Sequence, residues 1–303
     1  MGARLRRFRK VSRMTDTTLL VAAIVFWLAA WYTNTRLAAL KPETGAMKMV
    51  VNLAIPVLFG AAILALWEGI TRGLDVPPVI LPPPSMIWDQ VTNSVPTLWA
   101  DFVQTYLKGV LSGYVIGCSL GFAVAVLVDR SPFWKAGVLP IGNLVSALPI
   151  IGIAPIMVMW FGFDWQSKAA VVVVMTFFPM LVNTVAGLNA AGHMERDLMH
   201  TYASTRTQSL IKLRLPAAMP FIFNALKINS TLALIGAIVA EFFGTPIVGM
   251  GFRISAEIGR LNVDMVWATI FVAALAGSLS YGLIALIERS VTFWHPSMRS
   301  ERP

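Results

Sequence analysis

The sequence predicts an all-α, polytopic membrane protein, a bundle of six core transmembrane helices with an additional apolar segment near the N-terminus. Its 303 residues are 57% hydrophobic and only 13% charged, and the mean hydropathy of +0.71 lies far above soluble-domain values. Several apolar runs also approach or exceed the length of about 20 residues that a helix needs to cross a bilayer. The clearest of these runs are 49–67, 105–128, 169–188, 222–243 and 266–287.

The N-terminal apolar segment, residues 19–32, is shorter than these runs. Trp27 and Trp31 within it are typical of interfacial anchors. Two interpretations stay open: an interfacial or partly inserted helix, or a seventh span whose basic N-terminus lies outside. The chain then divides into residues 1–48, a transmembrane domain at 49–294 and a cytoplasmic tail at 295–303. The basic residues that precede the segment are Arg4, Arg6, Arg7, Arg9, Lys10 and Arg13.

The second long run, 105–128, carries a glycine at every fourth position. Such spacing places small residues on one helix face, where the backbone of a neighbouring helix can approach closely. The same run holds the only cysteine, Cys118, so no disulfide can form within the chain. We expect the ridge to pack helices together, without a bearing on substrate. Its members are Gly109, Gly113, Gly117 and Gly121.

Residues 138–163 form a further apolar segment, which is interrupted by Pro140, Pro149 and Pro155. Inside a membrane, such breaks persist only where neighbouring helices or a water-lined cavity satisfy the freed backbone groups. The segment is therefore either one wall of a solute pathway or an ordinary kinked helix. Counted as one span, it completes a set of six.

The distribution of Lys and Arg sets the topology. The loop at 163–167 carries no basic residue, whereas the loops on the opposite side carry Arg130, Lys135, Arg196, Arg206, Lys212 and Arg214. These loops are expected in the cytoplasm, which explains the net charge of +9 without a nucleic-acid partner. From residue 49 onward, the six spans leave both ends of the domain inside.

A polar, basic stretch at residues 197–220, here called the island, lies between two spans on the cytoplasmic side. Its hydroxyl and amide groups would face water while Tyr202 and Leu210 face a partner, so a short docking helix is expected. Pro216 and Pro220 should interrupt helical geometry before the next span. The alternative is a solvated loop that only turns the chain. The polar residues of the island include Thr201, Ser204, Thr205, Arg206, Thr207, Gln208 and Ser209.

The island carries an acidic residue at Asp197, a small residue six positions later at Ala203, and Leu215-Pro216 twelve positions beyond that. This pattern resembles the cytoplasmic signature loop of permease subunits of ATP-binding-cassette (ABC) importers. It departs from the family pattern at Leu198-Met199, where two alanines are usual, and at Ala203, where glycine is usual. Residues 81–85, LPPPS, and the pairs Phe178-Pro179 and Gly187-Leu188 look like the branch that includes sulfonate, taurine, nitrate, thiamine-precursor and riboflavin permeases.

The resemblance implies a type I importer permease in the bacterial inner membrane. Its partners would be two ATPase subunits, a second permease copy that forms a homodimer with this chain, and an external solute-binding protein. The island would be the ATPase-coupling loop, part of a cytoplasmic connection at about 191–220. The residues assigned to coupling are Asp197, Tyr202, Ala203, Ser204, Thr205, Arg206, Gln208, Leu215 and Pro216.

The chain has no phosphate-binding loop of its own. Gly244 and Gly249 have the required spacing, but Met250-Gly251 follows where lysine and a hydroxyl residue are needed. We therefore expect a transport subunit that is not an enzyme and binds no cofactor, with ATP and magnesium held by partner subunits. His193 and His200 lack the further ligands of a metal site, so no bound metal is expected.

Polar residues within the spans are candidates for contact with a small polar solute. Glu241 is an ionisable residue inside an apolar run, where such residues are costly and often functional. The alternative is an interface residue that pairs with Arg253 or with the second copy, and the other candidates can equally join helices. The candidates for the translocation path are Asn183, Thr184, Asn229, Ser230, Thr231 and Glu241.

A secondary transporter or channel is the alternative function. It would account for the hydropathy, the broken segment and Glu241, but the sequence shows no inverted repeat and few intramembrane charges. The solute expected for an importer is a pyrimidine-like, thiamine-precursor-like or riboflavin-like compound, or an anion of the sulfonate or nitrate type.

Overall fold

The computed structural model describes residues 2–40, 44–146 and 148–294, and the tail predicted at 295–303 lies outside them. The described residues form helices and no strands. The helices are α1 (Gly2–Ala39), α2 (Gly45–Gly73), α3 (Pro84–Asn93), α4 (Val95–Phe102), α5 (Leu111–Val128), α6 (Pro132–Ser146), α7 (Ile150–Phe161), α8 (Trp165–Asn189), α9 (His193–Thr201), α10 (Arg206–Ser209), α11 (Leu215–Glu241), α12 (Met250–Gly259) and α13 (Val263–Val291). Two π-helical stretches, Val103–Val110 and Leu210–Arg214, join α4 to α5 and α10 to α11.

Among the described residues, six helical stretches are long and apolar enough to cross a membrane, which confirms the predicted class. Four of the five long apolar runs lie within them, and the run at 222–243 extends two residues beyond its stretch. The six stretches are Thr18–Ala39, Gly45–Gly73, Val95–Val128, Trp165–Asn189, Arg206–Glu241 and Val263–Val291. A bent pair, α6 and α7, makes a seventh if it crosses as one span.

The bend between α6 and α7 is 96° and falls just before Pro149. Proline disfavours helical geometry in the residue before it, and Pro149 itself has extended backbone at the start of α7. Pro140 and Pro155, by contrast, lie inside α6 and α7. The expectation of three breaks is therefore wrong at two positions, and the segment turns once.

The residues divide into two compact units, of which the first is Met1–Val95 with Glu257–Ala268. In this unit α1 extends well beyond the apolar run at 19–32 and packs along α2. Small residues permit the contact, since Ala23, Ala30 and Ala62 are buried and a Cβ at Gly69 would lie 2.2 Å from Ala23 Cβ. The side of the membrane on which the N-terminus lies stays a prediction.

The second unit is Pro96–Ala256 with Thr269–Pro303, and α5, α8 and α11 pack together within it. The glycine ridge of α5 and the preceding π-helical stretch lies against α8. A Cβ at Gly113 would lie 2.6 Å from the Ala169 carbonyl oxygen, and one at Gly121 would lie 2.5 Å from that of Phe177. Backbone therefore meets backbone along this interface, as the four-residue spacing suggested.

Replacing Gly117 by Ala is expected to lower the melting temperature in detergent. The new methyl group would lie 2.1 Å from Thr176 Oγ1 and 2.9 Å from the Val173 carbonyl oxygen, and overpacking of this kind typically costs about 1–3 kcal/mol. Gly282→Ala in α13 is the control, because no described atom lies within 4 Å of its Cβ position. Thermal unfolding, monitored by size-exclusion chromatography, compares the melting temperatures of the two variants. Equal melting temperatures would contradict the tight contact.

Candidate functional site

The island begins within α9 and continues through a turn, α10 and the second π-helical stretch into α11. Its outer part is exposed: Leu198 and Tyr202 retain 56% and 77% of their accessible surface. Its inner part is anchored, since Leu210 and Leu215 pack on a buried cluster that includes Cys118, Met180 and Leu188. The island thus joins an apolar, accessible surface directly to the interior of the helical bundle.

Reciprocal hydrogen bonds hold the start of α10. The Thr205 hydroxyl accepts from the Gln208 backbone N–H at 3.2 Å, and the Gln208 side chain accepts from the Thr205 N–H at 2.8 Å. This capping box satisfies two backbone donors that a free helix end would leave unpaired. A four-residue helix is therefore held in place by its own side chains, which gives the exposed surface a defined shape.

Ala203 ends α9 in the left-handed backbone region, with φ of +49°. Its N–H donates to the His200 carbonyl at 2.9 Å, and the Ser204 N–H donates to that of Met199 at 3.0 Å. Glycine is the usual residue in this position after a helix, because it has no Cβ to clash. The geometry explains why the family pattern has glycine where this chain has alanine.

Ala203→Gly is accordingly expected to stabilise the protein modestly, because left-handed backbone costs an L-residue about 1–2 kcal/mol. Part of that gain is offset by the greater backbone freedom of glycine in the unfolded chain. Thermal unfolding in detergent measures the effect. Ala190→Gly, at an exposed position with ordinary right-handed backbone after α8, is the control and should not stabilise. A lower melting temperature for Ala203→Gly would contradict the assignment of strain.

The prolines of the island do not interrupt the chain, contrary to expectation. Residues 206–241 form one continuous helical stretch, with Pro216 in the first turn of α11 and Pro220 inside it. The π-helical stretch at Leu210–Arg214 stands immediately before Pro216. Wider turns change which carbonyl each N–H meets, so a proline without an N–H is tolerated there. The island is therefore continuous with the span that follows it.

The residues predicted for the translocation path lie mainly at helix contacts. Thr184 and Asn229 are fully buried, and the Asn229 amide donates to the Thr176 carbonyl at 2.8 Å. Within the described residues, Thr184 Oγ1 and Asn229 Oδ1 have no hydrogen-bond partner. Ser230 and Thr231 donate to backbone carbonyls of their own helix, as does Asn183, and Thr231 is exposed.

Glu241 belongs to a buried polar network at the end of α11. Its carboxylate accepts from Thr105 Oγ1 at 2.7 Å and from the Gly251 N–H at 2.6 Å. Arg253, the partner that the sequence suggested, donates instead to Asp101 at 2.8 Å, and Asp101 also accepts from the Gly249 N–H at 2.8 Å. The two carboxylates together hold the start of α12 against α4 and the first π-helical stretch.

Asp101 and Thr105 did not stand out in the sequence, because they are more than 130 positions from the groups they bind. Lys168 was also missed, although it follows Asp164 at the edge of an apolar run. It is 1% exposed, and its ammonium donates to the carbonyl oxygens of Phe163, at 2.6 Å, and Gly244. The position of Lys168 next to an apolar run was the feature of the sequence that could have indicated a buried cation.

A cavity of about 80 Å³ lies beside the bent pair. Four of its lining residues come from α6, α7 and the turn between them, and the six path candidates are not among the lining residues. The side chains that line it are apolar, and the polar part of the wall comes from backbone groups: Val145, Leu148, Ile150, Ile153, Val171, Val174, Met175, Pro179 and Leu232.

Comparison with known proteins assigns the family. The model of the binding-protein-dependent transport system inner membrane component matches residues 113–293. The formylaminopyrimidine transport permease ThiX of Halalkalibacterium halodurans is 31% identical over 252 residues, which are 82% of this chain and 98% of that protein. The taurine transport permease TauC of Escherichia coli is 28% identical, over 81% of this chain and 90% of that protein.

The riboflavin transport permease RibX of Chloroflexus aurantiacus is 25% identical, with 81% of this chain and 91% of that protein aligned. Among solved structures, an inward-facing form of the MetNI methionine ABC transporter matches with a TM-score of 0.52 at 20% identity, covering 69% of this chain and 99% of that one. This likeness supports the type I permease fold. The chain is therefore a multi-pass inner-membrane protein and belongs to the binding-protein-dependent inner membrane components, the permeases of ABC importers, in the branch of sulfonate, thiamine-precursor and riboflavin permeases.

Proposed function

We propose that this chain forms the translocation path for a small polar solute and receives its driving force through residues 197–216. The exposed apolar surface of the island carries the proposal. Three large apolar side chains are exposed there: Leu198 in α9, Tyr202 in the turn after it, and Ile211 in the helical stretch that continues from the capped α10 into α11. A partner that covers this surface gains apolar burial and acquires a direct mechanical connection to a membrane span.

Membership of the family supports a set of partners. Two cytoplasmic ATPase subunits would bind ATP and magnesium, a second copy of this chain would complete the pathway, and a solute-binding protein would deliver the solute from outside. Closure of the ATPases on ATP would bring the two islands together and open the pathway outward. Hydrolysis would return the pathway to its inward-open state. This chain would take no part in the hydrolytic chemistry.

The solute is proposed from the relatives and from the cavity. ThiX and RibX are named for formylaminopyrimidine and riboflavin, and TauC for taurine. The nine lining residues of the cavity by the bent pair are apolar and offer no cation to a sulfonate. The cavity is smaller than a usual ligand site, but its lack of a cation and the names of ThiX and RibX favour a pyrimidine-like, thiamine-precursor-like or riboflavin-like solute over an anion of the sulfonate or nitrate type.

Affinity purification of the tagged chain in mild detergent tests the partnership. We expect an ABC ATPase subunit to co-purify and to hydrolyse ATP in the complex. Reconstituted vesicles with the solute-binding protein, supplied with a labelled pyrimidine or with labelled taurine, then distinguish the two solute classes. A folded chain that never recovers an ATPase subunit would contradict the proposed function and favour a secondary transporter.

A further inference from the structure

Arg214, the last residue of the second π-helical stretch, joins the ends of three spans. Its two terminal nitrogens each bind one carboxylate oxygen of Asp129, both at 2.7 Å. Its Nε donates to the carbonyl oxygen of Leu188 at 3.0 Å. All three guanidinium nitrogens are therefore engaged, in the planar, two-pronged geometry that arginine forms with a carboxylate.

Each of the three residues lies at or next to the end of a long helix. Asp129 is the residue after α5, Leu188 is in the last turn of α8, and Arg214 directly precedes α11. The Asp129 side chain is 6% exposed and that of Arg214 is 20% exposed. Charge pairs that water reaches so little are held more firmly than exposed ones. We call Arg214, Asp129 and the Leu188 carbonyl the clamp.

Neighbouring cations reinforce the clamp at the end of α8. Lys135 donates to the Asn189 side chain at 2.6 Å and lies 3.9 Å from Asp129. Arg196, from α9, donates to the Asn189 carbonyl at 2.9 Å. The carbonyl groups that the C-terminal end of α8 leaves without helical partners are thus bound by side chains.

The exposed part of the island is held at both of its flanks by this cluster. The chain leaves α8 at Asn189, forms α9 and α10, and returns at Arg214, which binds back to Leu188 and to Asp129. A displacement of α9 and α10 therefore reaches α5, α8 and α11 at one place. With the charge pair removed, the packing of Leu210 and Leu215 and the Arg196 hydrogen bond would remain, but Asp129 at the end of α5 would lose its direct contact with Arg214.

Building on the proposed function, we propose that Arg214 is a positioning residue for energy coupling: through Asp129 and the Leu188 carbonyl it transmits movement of the island to the far ends of the spans. Arg214 does not contact nucleotide or solute in this role. Its loss should leave ATPase binding in place while the opposite side of the bundle stops responding to nucleotide.

The test uses the complex of the full chain with its co-purifying ATPase subunit, and needs no identified solute. A bimane fluorophore on Ile247→Cys reports from the loop that follows the far end of α11, where Ile247 is 80% exposed. Cys118 is buried and should contribute little labelling. The probe is the non-hydrolysable nucleotide AMP-PNP with magnesium, and the readouts are the emission shift and the amount of ATPase subunit retained.

We expect AMP-PNP to shift the emission of the reference complex, and Arg214→Met to reduce that shift at least about fivefold, a typical size for coupling between sites. ATPase retention should be unchanged. Arg214→Lys should give an intermediate shift, and the exchange of Asp129→Arg with Arg214→Asp should recover part of it. Arg130→Met, which removes a neighbouring exposed cation, should behave like the reference.

Two results would overturn the clamp: an undiminished shift in Arg214→Met, or a reduced shift explained by a matching loss of ATPase subunit. If Arg214→Met fails to fold, Asp129→Asn provides the same comparison with little change of shape. Failure of the proposed function is a separate result, because the reference chain would then recover no ATPase subunit. The clamp is judged only where that subunit is present.

Discussion

Replacing Ala203 by Glu is expected to remove the ATPase subunit from the purified complex and to abolish solute import. Ala203 ends α9 with left-handed backbone, beside the exposed Tyr202. A carboxylate here would be placed at the negative end of a helix dipole and in the centre of the proposed docking surface. Burying an unpaired charge in an interface costs several kcal/mol, so retention should fall by at least about a hundredfold.

The control for this variant is Ala190→Glu. Ala190 is an exposed alanine directly after α8, outside the island, and the substitution adds the same charge on the same side of the protein. It should retain the ATPase subunit. Quantitative mass spectrometry of both purified complexes measures retention, and membrane insertion is checked by yield and by size-exclusion profile. Normal retention in Ala203→Glu would show that the island is not the docking site.

Asp101→Ala is expected to destabilise the protein by about 3–5 kcal/mol, the usual cost of removing one member of a buried charge pair. The Asp101 side chain is fully buried, accepts from Arg253 at 2.8 Å and also binds the Gly249 N–H. Alanine would leave that N–H without its carboxylate partner and would weaken the attachment of α12. Thermal unfolding in a series of mild detergents measures the loss of stability.

Asp89→Ala is the matched control, since Asp89 is an exposed aspartate on the preceding helix α3. Its melting temperature should stay close to that of the unsubstituted chain. The melting temperature of Asp101→Asn should fall between those of Asp101→Ala and Asp89→Ala, because the amide oxygen can still accept from the Gly249 N–H while the charge is lost. A melting temperature for Asp101→Ala equal to that of Asp89→Ala would rule out a structural role for the pair.

The membrane class and most span positions could be predicted from the sequence, because apolar length is a local property. The runs at 49–67 and 266–287 lie inside α2 and α13 for that reason. The glycine spacing likewise indicated a helix face that meets backbone, and α8 supplies that backbone. The family was recognisable because the island keeps Asp197 and Leu215-Pro216 at their characteristic separation.

The polar contacts could not be predicted, because they join residues far apart in the chain. Arg253 was the nearest cation to Glu241 in sequence, yet Thr105 and backbone N–H groups bind the carboxylate. Proline effects were also misjudged at Pro155 and Pro220, which lie inside helices. In a bundle, neighbouring groups and wider turns compensate for the missing N–H, and that compensation depends on tertiary structure.

The backbone contact between α5 and α8 limits how the bundle can change shape. Side chains at an ordinary helix interface can switch rotamers and let two helices slide, but a peptide backbone has no such freedom. Because Gly113 and Gly121 pack on carbonyl groups of α8, α5 and α8 should move together as one rigid body. Alternating access would then be produced by rotation of this rigid pair against the elements around it. Cross-linking α5 to α8 should therefore leave the transport cycle intact.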